Sequence, residues 1–287
     1  MGRRDRRKQR RQQQLKQHHQ RQRAADQLAR EKRRQGAAPA EADLHRALRK
    51  VNPDYDGSAQ MAVAGTTVRA VVLAESSVTD LSPLSDQTGL EALDLRGTEV
   101  TDLAPLAELN LKELYLEETP VTDLTPLAGL PLEKLYLNRA PVTDLSGLEA
   151  LPLRELGAAW CRLEDLSPLA GLPIEQIWLN DNPVDVIAPL ADSPLVSLTL
   201  AGTKVCDLSP LASCSTLQRL NIVGAPVTDL SPLKDLSLTR LVFDPEEVEA
   251  GMEHVRAMST LEEIGSDLQR LMPPAAFWAS RDGGGEG

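Results

Sequence analysis

Tyr115, Tyr136 and Trp178 are separated by 21 and then 42 residues, with Trp160 close by, in a chain where only 3% of residues are aromatic. Glu117 and Asn180 each follow one of these rings by two places, and Arg139 follows Tyr136 by three. Rings ringed by mixed charges do the chemistry of protein recognition, because the rings shed water while the polar groups fix orientation. Tyr136 and Trp178 are the expected anchors, and Arg139 and Glu117 the orienting charges. A second reading stays open, in which large residues merely lean along a surface and cover one another. The concentration of rings in a ring-poor chain favours a site.

Carboxylates form a second periodic set at Asp80, Asp102, Asp123, Asp144, Asp165, Asp207 and Asp229, with Val186 the exception. Stacked carboxylates could suggest a calcium ladder, but repeats of that kind are glycine-rich and shorter in period. Aspartate in a turn more commonly accepts backbone N–H bonds from its own neighbours, so no metal is expected. Catalysis has little to stand on. His18, His19, His45 and His254 are scattered, and no GxSxG, HExxH or GxxxxGK[ST] pattern occurs. The chain reads as non-enzymatic, with no cofactor.

Both periodic sets are placed by one recurring phrase. VTDLSPL begins at Val78, with variants from Val100, Val121, Val142, Leu163, Val184, Val205 and Val227, at steps of 21 or 22 residues. That interval is the leucine-rich-repeat interval and predicts a solenoid. In Leu111–Val121, Leu114 and Leu116 share one face of a short strand, while Glu113, Tyr115 and Glu117 share the other. One coil cannot bury its leucines alone, so neighbours must stack. Ser82 then Pro83 reads as a helix N-cap followed by the first helical residue on the convex side. The expected fold is an α/β solenoid, an arc with a parallel concave sheet. One outward column on that sheet runs Val72, Asp94, Tyr115, Tyr136, Gly157, Trp178, Thr199, Asn221, Val242, with Trp160 beside the gap at Gly157.

These phrases resemble the leucine-rich repeats of the bacterial internalin type, whose unit ends in a "TDLSPL" phrase. The flanks Leu48–Gly57, Leu261–Ile264 and Phe277–Trp278 resemble a narrower group, intracellular bacterial repeat domains sometimes fused behind Ser/Thr protein kinases. The resemblance covers about Leu44 to Trp278 and implies a protein-binding repeat domain. No kinase sequence and no secretion or wall-anchoring signal of the adhesin type is present.

The net charge of −11 conceals a split: residues 1–50 hold 17 Lys/Arg against 5 Asp/Glu, a net of +12, and residues 51–287 hold 14 against 37, a net of −23. This divides the chain into a basic arm (1–38), an N-terminal cap of helix and hairpin strand (39–67), the repeats (68–243), a C-terminal cap (244–280) and a tail (281–287). The arm, with Arg3, Arg4, Arg6, Arg7, Lys8, Arg10 and Arg11, sustains no heptad. It reads as a solvated tail, as a grip on RNA or ribosomal phosphates, or as a membrane-surface tether that lacks an apolar face.

Cys161, Cys206 and Cys214 are odd in number and lack CxxC spacing, so no disulfide framework is expected, and Cys161 aligns with Thr98, Thr119 and Thr203 as a small buried residue. No apolar run reaches the roughly 18 residues of a membrane span. The expectation is a cytoplasmic, monomeric adaptor. At the ends, a helix over 40–51, a hairpin of 60–64 with 67–73, and a helix over 246–258 are predicted, with Leu261, Ile264, Leu268, Leu271, Phe277 and Trp278 closing the column.

Overall fold

A computed structural model describes residues 39–282. The basic arm of residues 1–38 and the last residues, 283–287, lie outside the described residues. Helix α1 (Pro39–Val51) precedes strands β1 (Gln60–Ala64) and β2 (Thr67–Val72), then β3 (Ala92–Asp94), β4 (Glu113–Tyr115) and β5 (Lys134–Tyr136). The series continues with β6 (Glu155–Gly157), β7 (Gln176–Trp178), β8 (Ser197–Thr199), β9 (Arg219–Asn221) and β10 (Arg240–Val242). Helix α2 (Met252–Ala257), strand β11 (Glu263–Gly265) and helix α3 (Pro274–Asp282) complete it.

The strands form one 11-stranded sheet in chain order. β1 is antiparallel to β2, and the strands from β2 onward are parallel. At about 4.8 Å per strand the sheet runs roughly 48 Å. The period sets this register. Leu93, Leu114, Leu135, Leu156, Ile177, Leu198, Leu220 and Leu241 are paired strand to strand and buried. Because alternate residues of a strand face opposite ways, burying these centres turns the two flanking residues of each strand outward. The chain is a leucine-rich-repeat arc.

On the opposite side seven of the eight phrases close their coil with a short 3₁₀ helix, such as Ser82–Leu84, Thr125–Leu127 and Ser231–Leu233, with proline in the first turn. The expected serine cap is not what starts them. Leu81 occupies the cap position without a side-chain bond, and the Asp80 carboxylate accepts the Ser82 N–H at 2.8 Å. All seven periodic aspartates accept the N–H two residues on. The aspartate therefore orders the turn, and the serine hydroxyl is left to bond back to it, as at Ser167 and Ser209. Where Gly147 replaces the proline, no 3₁₀ turn forms and Gly147 takes φ +99°. The fixed φ of proline is thus what preorganises the other coils.

Hydroxyl and N–H bonds hold Asp123, Asp144, Asp165 and Asp229 below the usual carboxylate range, and N–H then hydroxyl bonds do the same for Asp80 and Asp207. A carboxylate whose pKa is depressed in the folded chain stabilises it above the unfolded value of 3.8 and loses that contribution as pH falls through the folded value. Melting temperature is therefore expected to hold steady from neutrality to about pH 5 and to fall steeply below about pH 4. A titration of melting temperature followed by circular dichroism checks this; a flat profile down to pH 3 would remove the turn carboxylates from the account.

The ends follow their own chemistry. Leu44 and Leu48 of α1 are buried against the first coil. Asn52, which ends the helix, accepts the Thr79 and Asp80 N–H groups, each at 2.9 Å, and donates to the Leu48 and Asp80 carbonyls. The helix expected over 246–258 shrinks to α2. Glu249 N–H donates to Thr228 O at 2.8 Å and Ala250 O accepts from Leu230 N–H at 2.9 Å. Backbone groups tied to the last coil cannot also close helical turns, and Gly251 at φ +80° breaks the path into α2. β11 adds a strand that the sequence reading left unassigned. Phe277 packs on Phe243 with ring centroids 6.1 Å apart. Leu268 does not close the column: it is 54% exposed. Helix α3 runs to Asp282, past the expected boundary at 280, with Arg281 donating to Glu246 at 2.7 Å.

Candidate partner-binding face

Sheet pairing aligns Val72, Asp94, Tyr115, Tyr136, Gly157, Trp178, Thr199, Asn221 and Val242 in one column. The Tyr115 and Tyr136 rings stack in parallel with centroids 5.2 Å apart. Tyr136 and Trp178 meet at 6.2 Å across the intervening strand. Gly157 permits that approach, since a Cβ there would lie 2.7 Å from Tyr136 Cδ1. Three rings spanning the four strands β4 to β7 thus make a continuous, half-buried ladder on the concave face.

The ladder is held at its polar ends. Tyr136 Oη donates to Glu155 at 2.6 Å, and Tyr115 Oη donates to Glu113 at 3.0 Å. Lys134 Nζ stands between those carboxylates, 3.3 Å from Glu113 and 3.9 Å from Glu155. Burial, then the bond to Glu155, pushes the Tyr136 hydroxyl well above its ordinary pKa, so it stays a neutral donor. Arg96, which sequence reasoning passed over, makes a two-pronged pair with Asp94 at 2.9 and 2.6 Å. Its guanidinium lies 5.8 Å from the Tyr115 ring centre. The signal was available: Asp94 and Arg96 are two apart, on the same side of an extended chain.

Trp160 stands apart. The gap at Gly157 is closed by Tyr136 and Trp178 themselves, and Trp160 occupies the turn after β6, 51% exposed, with Arg139 5.3 Å from its ring centre. Arg139 in turn reaches Glu118 at 2.9 Å, so it orients Trp160 rather than the ladder. Trp160 has φ +57°, the left-handed conformation that this position takes in each coil, where Gly97, Gly202 and Gly224 adopt it freely and Glu75, Glu118, Arg139 and Asp181 adopt it as Trp160 does. A bulky side chain there costs about 1–2 kcal/mol of backbone strain. Trp160→Gly is accordingly expected to leave the unfolding free energy within about 1 kcal/mol of wild type, relieved strain offsetting lost ring contacts. Chemical denaturation checks this, and a loss above about 3 kcal/mol would make Trp160 a packing residue.

Glu117 is half-buried. Burial raises its pKa, and its Oε2 is sealed from water without a hydrogen-bond partner among the described residues. The side chain of Asn180 points from the strand end beside Trp178, while its backbone carbonyl accepts the Trp160 N–H at 2.9 Å. The structure therefore brings Tyr115, Tyr136 and Trp178 into contact, gathers Glu117 with Arg139 and Trp160 around one hollow, and places Asn180 beside Trp178 at another.

Elsewhere, His45 accepts or donates to the Tyr55 hydroxyl at 2.8 Å, and burial lowers its pKa. His254 neighbours Glu253. Among the described residues no three or more His, Cys, Asp or Glu side chains gather closely enough to hold a metal ion, and no helix is long and apolar enough to cross a membrane. Cys161 is buried at the position expected from the threonine column.

No protein-family model and no curated protein matches the chain. Solved structures do. An internalin (inlF) from Listeria monocytogenes is 27% identical with a TM-score of 0.59, over 78% of this chain and 74% of that one. Internalin C2 (inlC2) from the same organism is 27% identical with a TM-score of 0.62, over 72% of this chain and 93% of that one. The leucine-rich-repeat ectodomain of the Arabidopsis thaliana receptor kinase GASSHO1/SCHENGEN3 is 19% identical with a TM-score of 0.59, over 72% of this chain and 28% of that one; it shares the fold.

Proposed function

We propose that the concave sheet is the docking face for a protein or peptide partner, and that the chain works as an adaptor with no catalytic step of its own. The ladder Tyr115–Tyr136–Trp178 carries this reading. Stacked rings with fixed hydroxyls present apolar area at little further cost in side-chain entropy. Trp160, kept on a strained backbone in solvent, adds a second contact at the turns. Glu117, Arg139 and Asn180 supply the polar rim. Similarity to internalins at 27% identity supports an interaction role over the length matched.

In this reading the protein acts as a monomer in a bacterial cytoplasm. Its three cysteines are free thiols, two of them buried, which fits a reducing compartment. A second reading gives the Arg-rich arm an RNA- or ribosome-associated role, resting on the +12 charge of residues 1–50. The first reading is tested by comparing proteins retained by wild type and by Tyr136→Ala/Trp178→Ala in parallel pull-downs. Proteins lost only from the double variant support it, and identical retention refutes it.

A further inference from the structure

The concave face divides into two halves that differ in how much of their polar chemistry is already satisfied. From Asp94 to Glu155 the groups other than Glu117 pair among themselves: Asp94 with Arg96, Lys134 with Glu113 and Glu155, both tyrosines with glutamates. Around β7, β8 and β9 the pattern reverses. The side chains of Gln176, Asn180, Ser197, Thr199 and Arg219 have no hydrogen-bond or ion-pair partner among the described residues, and none of their polar atoms is sealed from water.

They line a hollow of about 390 Å³ with Trp178 at one end and the exposed Leu268 at the other. Its floor is built: Thr199 and Asn221 are 9% and 7% exposed, yet the Thr199 hydroxyl is unpartnered and open to the hollow. Asn221 uses its Oδ1 to accept the Val223 N–H at 3.2 Å, which leaves its amide N–H₂ free to donate. Arg219 is the cation of this hollow. Its neighbour Arg240 is bonded to Glu263 at 2.6 Å, and Arg154 is paired with Glu175. Arg219 is half-buried with no carboxylate within the 4.0 Å of an ion pair among the described residues. A partly desolvated guanidinium with open donors is matched by a carboxylate, which its planar fork can grip in two places.

Resting on the concave-face reading above, we propose that this hollow takes an extended peptide segment bearing an acidic side chain. The carboxylate pairs with Arg219, an apolar side chain one to a few residues away lies against Trp178 or Leu268, and Thr199, Ser197 and Asn221 bond the peptide backbone. Arg219 is on β9, between Trp178 on β7 and Leu268 beyond β11. A segment spanning both walls passes over Arg219, so the carboxylate belongs to a side chain within the segment.

A displayed library of random dodecapeptides, panned on the full-length protein, tests this with Trp178→Ala and Arg219→Ala as comparison targets, each checked for folding by circular dichroism. Selected peptides are expected to share an Asp or Glu near an apolar residue and to bind Arg219→Ala at least about tenfold more weakly. Changing the peptide Asp to Asn should weaken binding to wild type and add nothing on Arg219→Ala, and amidating the peptide C-terminus should change nothing. Selection on Arg219→Glu should replace the acidic residue by Lys or Arg. Peptides that need Trp178 but bind Arg219→Ala as tightly as wild type overturn the carboxylate proposal and leave the docking face standing. Loss of binding on C-terminal amidation also overturns it. Peptides indifferent to both substitutions, or no selected peptides at all, count against both.

Discussion

Asn182→Leu is expected to lower the free energy of unfolding by roughly 3–5 kcal/mol, although leucine has the same branched side-chain skeleton and the site is buried. Asn182 Oδ1 accepts the Cys161 N–H at 3.1 Å and the Leu163 N–H at 2.9 Å. Its Nδ2 donates to Ala158 O at 2.7 Å and Leu179 O at 2.9 Å. Arg162, between the two donors, has φ +70°, and both flanking N–H groups end on the one Asn182 oxygen. A leucine would strand two buried donors, each costing about 1–3 kcal/mol, and weaken two acceptors. Thr98, Thr119 and Thr203 hold the same column position and bond only the carbonyl three residues back. Asn182→Thr should thus recover one acceptor and fall between the leucine variant and wild type. Urea denaturation resolves the series; a leucine variant within about 1 kcal/mol of wild type would show that water reaches those N–H groups.

The double substitution Tyr136→Ala/Trp178→Ala is expected to weaken partner binding by about 100-fold or more, the scale of losing a central aromatic pair. Fold is retained, because the buried centres of the same strands, Leu135 and Ile177, are untouched. The loss should appear chiefly in the dissociation rate. Tyr136→Phe is the informative companion. It keeps the ring stack with Tyr115 and drops only the bond to Glu155, so binding should stay within about threefold of wild type, the half-exposed hydroxyl bond being worth well under 1 kcal/mol. Surface-plasmon measurements on a partner obtained from the pull-down would separate these cases.

Much of the architecture was legible because the 21- and 22-residue steps leave the strands a single register. Val72, Tyr136 and Trp178 fell in one column for that reason. What escaped depended on contacts between coils. Val248, Met252 and Val255 have helical spacing, yet Glu249 and Ala250 bond Thr228 and Leu230 instead. β11 lies beyond the last VTDLSPL phrase, so the period no longer marks it. Leu268 reads as a core residue by type, but it follows the final strand, where no further coil stacks on it.

The candidate face was legible as a list of residues and not as an arrangement. That Tyr136 is fastened to Glu155 on the next strand, that Arg139 serves Trp160, and that Asn52 and Asn182 satisfy backbone groups on neighbouring coils all follow from contacts at separations of 19 to 28 residues. No local pattern carries that information. Arg219 went unnoticed for a related reason: an arginine stands out here by lacking the partner that Arg240 has.

Hydroxyl-radical labelling of the native protein, free and bound to its captured partner, tests most directly whether the concave sheet is the docking face. Trp178 and Tyr136 should become strongly protected on binding, while Trp278, which packs edge-on against Phe277 in α3, reacts equally in both states. Trp178 as reactive in the complex as in the free protein would contradict the account.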